Sequence, residues 1–201
     1  MQSEAATRPL VLVHGLLDTP RLFSCLERRL EGQHRAVFSP HLPHRFGAIP
    51  LRKLAQQLDG LIQERWGAET PIDLLGFSMG GVIGRTWLQE FGGAKRTHRF
   101  ISVGSPQKGT LTAQCIPAWL LAGLADMKRG SPLLRSLNGN YAELQSVECI
   151  SFFCRWDLMV CPGWQAVLPI GPNTAVPVWT HQQLMSHPKS LDLLIESLLI
   201  D

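Results

Sequence analysis

Three short runs, Pro9–Val13 (PLVLV), Ile72–Phe77 (IDLLGF) and Phe100–Gly104 (FISVG), are apolar at almost every position. A strand with one wet face alternates apolar and polar residues. A short run without alternation, bounded by turn residues, belongs to a strand covered on both faces. Between these runs the apolar period changes. Pro20–Glu31 places Leu22, Phe23, Leu26 and Leu30 at helical spacing, with Pro20 suited to a first turn and Gly32 to a stop. Leu51–Trp66 does the same with Leu51, Leu54, Leu58, Leu61, Ile62 and Trp66, ended by Gly67. Met79–Phe91 and Leu191–Ile200 also have a helical pattern, and Arg35–Ser39, Val147–Cys154 and Val176–Thr180 have a strand pattern. Pro177 argues for an edge position or a short element there. Strands alternating with helices predict an α/β fold: a mainly parallel central sheet of about six strands with helices on both faces.

Composition adds exclusions. The chain has 201 residues, 45% hydrophobic and 17% charged, enough for one domain (1–201) with a real core. Lys and Arg number 19 against 16 Asp and Glu, a net +3 without clustering, so no nucleic-acid partner is expected. Five Cys without a CxxC spacing argue against a zinc site or disulfide framework and fit buried thiols in a reducing compartment. Met1–Thr7 has no basic-then-apolar leader pattern, and no apolar run reaches the ~18 residues of a membrane span. A soluble, cytoplasmic chain is the expectation. One segment, 110–143, breaks the strand–helix rhythm. Its apolar cluster (Ile116, Trp119, Leu120, Leu121, Leu124) suits a short lid-like insertion or pocket wall, and Lys128-Arg129 beyond it suits a solvated end.

Chemistry concentrates at Gly76-Phe77-Ser78-Met79-Gly80-Gly81, where the third strand becomes a helix. In that context GxSxG is a tight, strained turn that lifts a serine hydroxyl off the C-terminal end of the sheet. Gly76 and Gly80 let strand and helix approach closely. The helix N-terminus behind Ser78 offers unpaired N–H groups and partial positive charge, which favour a developing oxyanion. A second donor must come from a nearby loop, and His14-Gly15-Leu16 directly follows the first strand. The backbone N–H groups of Leu16 and Met79 are the candidate oxyanion hole, and His14 shapes the loop.

A serine hydroxyl requires a base, and the base requires an orienting group. In a fold of this kind the order along the chain is Ser, acid, His. Asp157 is the one carboxylate after Ser78 that follows a buried strand just beyond its C-terminal end. Glu148 lies at the wrong end of that strand, and Asp192 and Glu196 lie on the last helix. His181, at the end of the last strand, is the candidate base, with His187 before Pro188 as the alternative.

These motifs resemble those of the small α/β-hydrolases of the bacterial lipase and esterase type, including the compact Bacillus lipases. The resemblance runs from PLVLVHGLL (Pro9–Leu17) through IDLLGFSMGG (Ile72–Gly81) and ISVGSPQKGT (Ile101–Thr110) to SFFCRWDLMV (Ser151–Val160) and HQQLMSHPKSLDLLIESL (His181–Leu198). It implies an α/β-hydrolase fold, Asp157 as triad acid, His181 as triad base, and oxyanion donors at Leu16 and Met79. Phe77 stands where such enzymes often have His, and 110–143 is longer than in the most compact members. The implied activity is hydrolysis of carboxylic esters, of lipid or other acyl type, through an acyl-enzyme. An acyltransferase or thioesterase on the same triad is the alternative, and a non-catalytic binding protein the more distant one. No metal or organic cofactor is required. The expected partner is a small-molecule or lipid ester, with transient contact to a lipid surface as an option.

Overall fold

The computed structural model describes residues 8–32, 36–114, 117 and 121–199. Six strands form one all-parallel sheet: β1 Leu10–Val13, β2 Val37–Phe38, β3 Ile72–Phe77, β4 Thr97–Val103, β5 Glu148–Cys154 and β6 Asn173–Val176, in the order β2-β1-β3-β4-β5-β6. The α-helices are α1 Ser24–Leu30, α2 Leu51–Trp66, α3 Met79–Glu90, α4 Ala122–Asp126, α5 Pro132–Gly139, α6 Gln183–Ser186 and α7 Pro188–Leu199.

The alternation of side chains along each strand divides the core in two. Val11, Val13 and Leu74 join α2, α3 and α5 in one cluster, while Leu10, Leu12, Leu75 and Phe77 join α1, α6 and α7 in the other. Both clusters are almost dry, which is why β1 and β3 tolerate no polar alternation. α2 shows the complementary pattern: Leu51, Leu54, Ala55, Leu58 and Ile62 are buried on one face, and Gly67 ends the helix at φ 74°. Pairing aligns the strand ends. Val13 lies opposite Gly76, and Phe77 opposite Val103, so the loops leaving β1, β3 and β4 emerge side by side.

Several boundaries differ from the sequence expectation; β2 is shortened from Arg35–Ser39 to Val37–Phe38, with residue 35 outside the described residues. β4 begins at Thr97 and not at Phe100, because its polar start is buried: Arg99 donates to Glu148 Oε2 and to the Ser197 carbonyl, both at 2.8 Å. β6 covers Asn173–Val176 and not Val176–Thr180. Pro177 has no N–H to continue the ladder, so the strand ends before it, at the expected edge position. α7 starts at Pro188, a good first helical residue, three positions before the expected start. The first helical stretch opens as a 3-10 turn over Pro20–Phe23 before α1.

The segment 110–143 contributes α4 and α5 beyond the end of β4. Leu133, Leu134 and Leu137 of α5 pack into the core. Ile116, Trp119 and Leu120 lie outside the described residues. Arg85 of α3, fully buried, ties this segment down. It donates to the Leu137 carbonyl at 2.7 Å, to Asn138 Oδ1 at 2.9 Å and to the Gln107 carbonyl at 3.2 Å. Burial lowers its pKa, and these acceptors offset the desolvation of the cation. Removing it strands buried carbonyls and leaves a void. Arg85→Ala should cost about 1–3 kcal/mol of unfolding free energy in urea titration, from the buried acceptors left unpaired; a loss under about 1 kcal/mol contradicts this role.

Candidate active site

The junction of β3 and α3 carries Ser78 at φ 54°, ψ −126°. Ser78 is one of four non-glycine residues at positive φ among the described residues, a conformation that costs on the order of 1–3 kcal/mol and persists only where the surroundings hold it. Here they do. Ser78 N–H donates to the Val103 carbonyl at 2.9 Å, and Gly81 N–H donates to the Ser78 carbonyl at 3.1 Å. A Cβ on Gly80 would lie 2.0 Å from the Val13 carbonyl oxygen, and one on Gly76 would lie 2.4 Å from Gly81 Cα. Only bare backbone fits at either point.

The loop after β1 packs onto the same turn. A Cβ on Gly15 would sit 2.8 Å from Ser78 Cβ, so the His14-Gly15-Leu16 backbone runs directly against the serine. Met79 is the first residue of α3, where helical N–H groups have no intrahelical partner. Leu16 lines the cavity that contains Ser78. His14 has both ring nitrogens engaged: Nδ1 donates to the Gly15 carbonyl at 3.0 Å, and Nε2 accepts from Leu42 N–H at 3.1 Å. That pattern requires neutral imidazole, and burial depresses its pKa. Its role is to hold the loop.

Asp157 sits three residues beyond β5, buried. Its Oδ1 accepts from Met159 N–H at 2.8 Å and Val160 N–H at 2.9 Å, and its Oδ2 accepts from His181 Nδ1 at 2.6 Å. The turn therefore fixes the carboxylate, and the carboxylate fixes the imidazole tautomer. His181 is 4% exposed, and its Nε2 has no hydrogen-bond partner. Ser78 and His181 line one cavity of about 180 Å³, whose walls are mostly apolar: Leu16, Ala113, Leu124, Met127, Met159 and Val160. His187 is elsewhere in role: its Nδ1 accepts from Lys189 N–H at 3.3 Å at the entry to α7. Asp18 also lines the cavity. Burial raises its pKa, partly countered by His181 and His44.

Several supports have no motif. Gln183 Oε1 accepts from Trp179 N–H at 2.8 Å and Thr180 N–H at 3.2 Å, clasping the loop that delivers His181. Thr110 and Thr112 hydroxyls donate to the Met159 carbonyl at 3.0 and 2.7 Å, joining the 110–143 segment to the Asp157 turn. Gly104, at φ 55°, leaves room for the His181 ring; a Cβ there would lie 3.1 Å from its Cε1. Phe77 packs on that ring with centroids 4.7 Å apart. Among the described residues no group of three or more His, Cys, Asp or Glu is arranged to hold a metal, and no helix is long and apolar enough to cross a membrane. Cys149 is inert by burial, its thiol pushed up to about 12.

Residues 9–144 match the family model for palmitoyl protein thioesterase. The chain belongs to the palmitoyl protein thioesterase family. The matched stretch of that family includes the β1 loop and Ser78 and stops before Asp157 and His181. The chain matches no curated protein. Among solved structures, this thioesterase-family chain is similar to a lipase of Bacillus licheniformis in its mature form, with a TM-score of 0.77 and 16% identity over 98% of this chain and 94% of that one. It is also similar to Aspergillus fumigatus lipase B, with a TM-score of 0.79 and 18% identity over 98% of this chain and 54% of that one. A pyrethroid hydrolase of Sphingobium faniae superposes with a TM-score of 0.66 and 14% identity, over 94% and 96% of the respective chains. The fold is that of the α/β-hydrolases.

The histidines beside the site make its stability depend on pH. His14 stacks on His41 with ring centroids 5.7 Å apart and meets His44 edge-on at 5.8 Å. Burial lowers the pKa of both His14 and His44 below the ordinary 6.5. The native state then holds fewer protons than the unfolded chain just below that value. The stability is fully present above 6.5 and is lost as pH falls toward the depressed values. The wild-type urea midpoint should fall between pH 7.5 and 5.5 by more than that of His44→Gln. Equal slopes would show that this histidine does not carry the effect.

Proposed function

We propose that the chain is a serine hydrolase of acyl esters working through Ser78, His181 and Asp157. One observation carries this: a buried imidazole, oriented through Nδ1 by a fixed carboxylate, keeps Nε2 unpaired in the cavity it shares with the strained Ser78. Ser78 Oγ attacks the carbonyl carbon as its proton passes to Nε2. The tetrahedral oxyanion is held by the Leu16 and Met79 N–H groups. The imidazolium, stabilised by Asp157, protonates the leaving alcohol as the carbon–oxygen bond breaks. Water, deprotonated by the same Nε2, then attacks the acyl-serine and releases the acid and the free hydroxyl. The chain's own groups complete this cycle, so no cofactor enters it.

Membership of the palmitoyl protein thioesterase family supports a second reading, in which the leaving group is a thiolate. The acyl-serine and its hydrolysis are identical, and forming it from a thioester requires less help from the general acid because a thiol leaves more readily. Acyl transfer to an alcohol instead of water is the third outcome the same triad permits. The apolar walls given by Leu124, Met127, Met159 and Val160 suit an acyl chain in each case.

Ser78→Ala should abolish turnover of p-nitrophenyl acyl esters and acyl thioesters, and labelling by a fluorophosphonate probe, with an unchanged circular dichroism spectrum. Asp157→Asn should keep labelling detectable but lower kcat by about 10⁴-fold, since it presents the wrong tautomer. Turnover that survives Ser78→Ala removes Ser78 from the mechanism. The kcat/KM ratio between matched oxygen esters and thioesters, measured with and without added alcohol, separates the three outcomes.

A further inference from the structure

Among the described residues nine large hydrophobic side chains are exposed, and they are not scattered. All but Leu199 stand on segments leaving the C-terminal ends of the strands, the edge at which Ser78 lies. Three are tryptophans: Trp156 and Trp164 after β5, and Trp179 after β6, at 67, 63 and 73% exposure. Leu158, between the first two, is 80% exposed. Trp156 and Trp179 line one groove of about 340 Å³ where β5 and β6 end. Met159 continues the patch inward, being half exposed and also a wall of the Ser78 cavity. A monomer in water seldom keeps so much apolar surface together.

Charge is sorted in the same direction. The segments leaving the strand ends expose Arg45, Lys108, Arg129 and Arg155. Their carboxylates are Asp18, Asp126 and Asp157, none of them exposed. Asp157 holds His181, Asp126 accepts from Leu51 N–H at 2.8 Å, and Asp18 faces the cavity. The exposed carboxylates lie instead at the opposite edge or on the outer helices, as Glu69, Glu143, Glu148 and Asp192 do.

We propose that this edge docks on a membrane surface containing anionic lipid, with Trp156, Leu158 and Trp179 entering the headgroup boundary and Arg155 among the cations that pair with lipid phosphates. Indole suits that boundary, with an apolar body and one polar N–H. Exposed cations without exposed anions complement a negative surface. A second copy of this chain fits the same edge poorly, because a twofold contact would bring like cations together. Docking in this orientation turns the mouth of the Ser78 cavity toward the lipid. It does not require that Ser78 be a nucleophile.

The test is flotation of the full chain, with Ser78→Ala as the carrier so that turnover plays no part, on vesicles of phosphatidylcholine alone and of equimolar phosphatidylcholine and phosphatidylglycerol. Binding is expected to the mixed vesicles, with a blue shift of tryptophan emission and weakening at high salt. Trp156→Ala with Trp179→Ala, and separately Arg155→Glu, should each lower the vesicle partition at least tenfold while leaving the thermal midpoint in place. Absence of binding, equal binding to both vesicle types, or undiminished binding by these variants overturns the proposal. So does a dimer in sedimentation that the tryptophan variants dissociate, which would assign the face to a second copy.

Discussion

The contact on which this architecture depends is the approach of three bare backbones: the end of β1, the end of β3 and the first turn of α3. Gly80 meets the Val13 carbonyl, Gly76 meets Gly81, and Gly15 meets Ser78. Each meeting leaves no room for a Cβ. Together they force Ser78 into a positive φ that its own side chain disfavours, and the Val103 carbonyl holds it there through the Ser78 N–H. The energy to sustain that strain comes from the buried strands and helices on either side, whose apolar side chains are almost wholly removed from water. A methyl group at Gly80 would push α3 away from β1 and disturb the serine and the loop before Leu16 at once.

Asp157 and His181 are held by a different device. Neither sits on a regular element. Asp157 is fixed by two N–H groups of its own turn, and His181 by a loop clasped at Gln183 and pressed on by Phe77. The two loops meet through the 2.6 Å hydrogen bond between Nδ1 and Oδ2. The pair therefore has positional precision equal to that of the turns beneath it, and Thr110 and Thr112 extend that support into the 110–143 segment.

What could be seen in the sequence follows from this division. β1 and β3 announce themselves because burial on both faces erases polar alternation, and GFSMGG is legible because only glycine fits where backbones touch. Asp157 is singled out by its place after an apolar strand. β4 and β6 were harder for physical reasons. Arg99 is a buried polar residue whose partners, Glu148 and the Ser197 carbonyl, lie far along the chain, and Thr97 is a buried hydroxyl that donates to the Gly93 carbonyl. Asn173-Thr174 on an edge strand looks like a loop because it is wet. Arg85 and the two threonines act through hydrogen bonds to distant backbone, which no local spacing encodes, while Gln183 bonds backbone only three and four residues away but carries no motif that marks it.

An all-parallel sheet sends every strand's C-terminal end to one edge, and this chain places its costly features there. Among the described residues, the non-glycine residues at positive φ, Leu17, Arg45, Phe46 and Ser78, follow those ends, as do the unpaired His181 Nε2 and nearly all of the exposed large apolar side chains. Strain, an unsatisfied nitrogen and wet hydrocarbon each destabilise the fold by themselves. The concentration of the strain and the wet hydrocarbon at one edge, beside the unpaired His181 nitrogen, means that the same surface has the most to gain from contact with something outside the chain. A substrate in the cavity would give His181 Nε2 a partner through the Ser78 hydroxyl, and an apolar, negatively charged surface against the rim would cover the tryptophans and pair the arginines. The opposite edge has less to gain: Arg99 pairs there with Glu148, and although one buried nitrogen each of Arg8 and Arg96 lacks a hydrogen bond, no exposed tryptophan or non-glycine residue at positive φ lies there among the described residues.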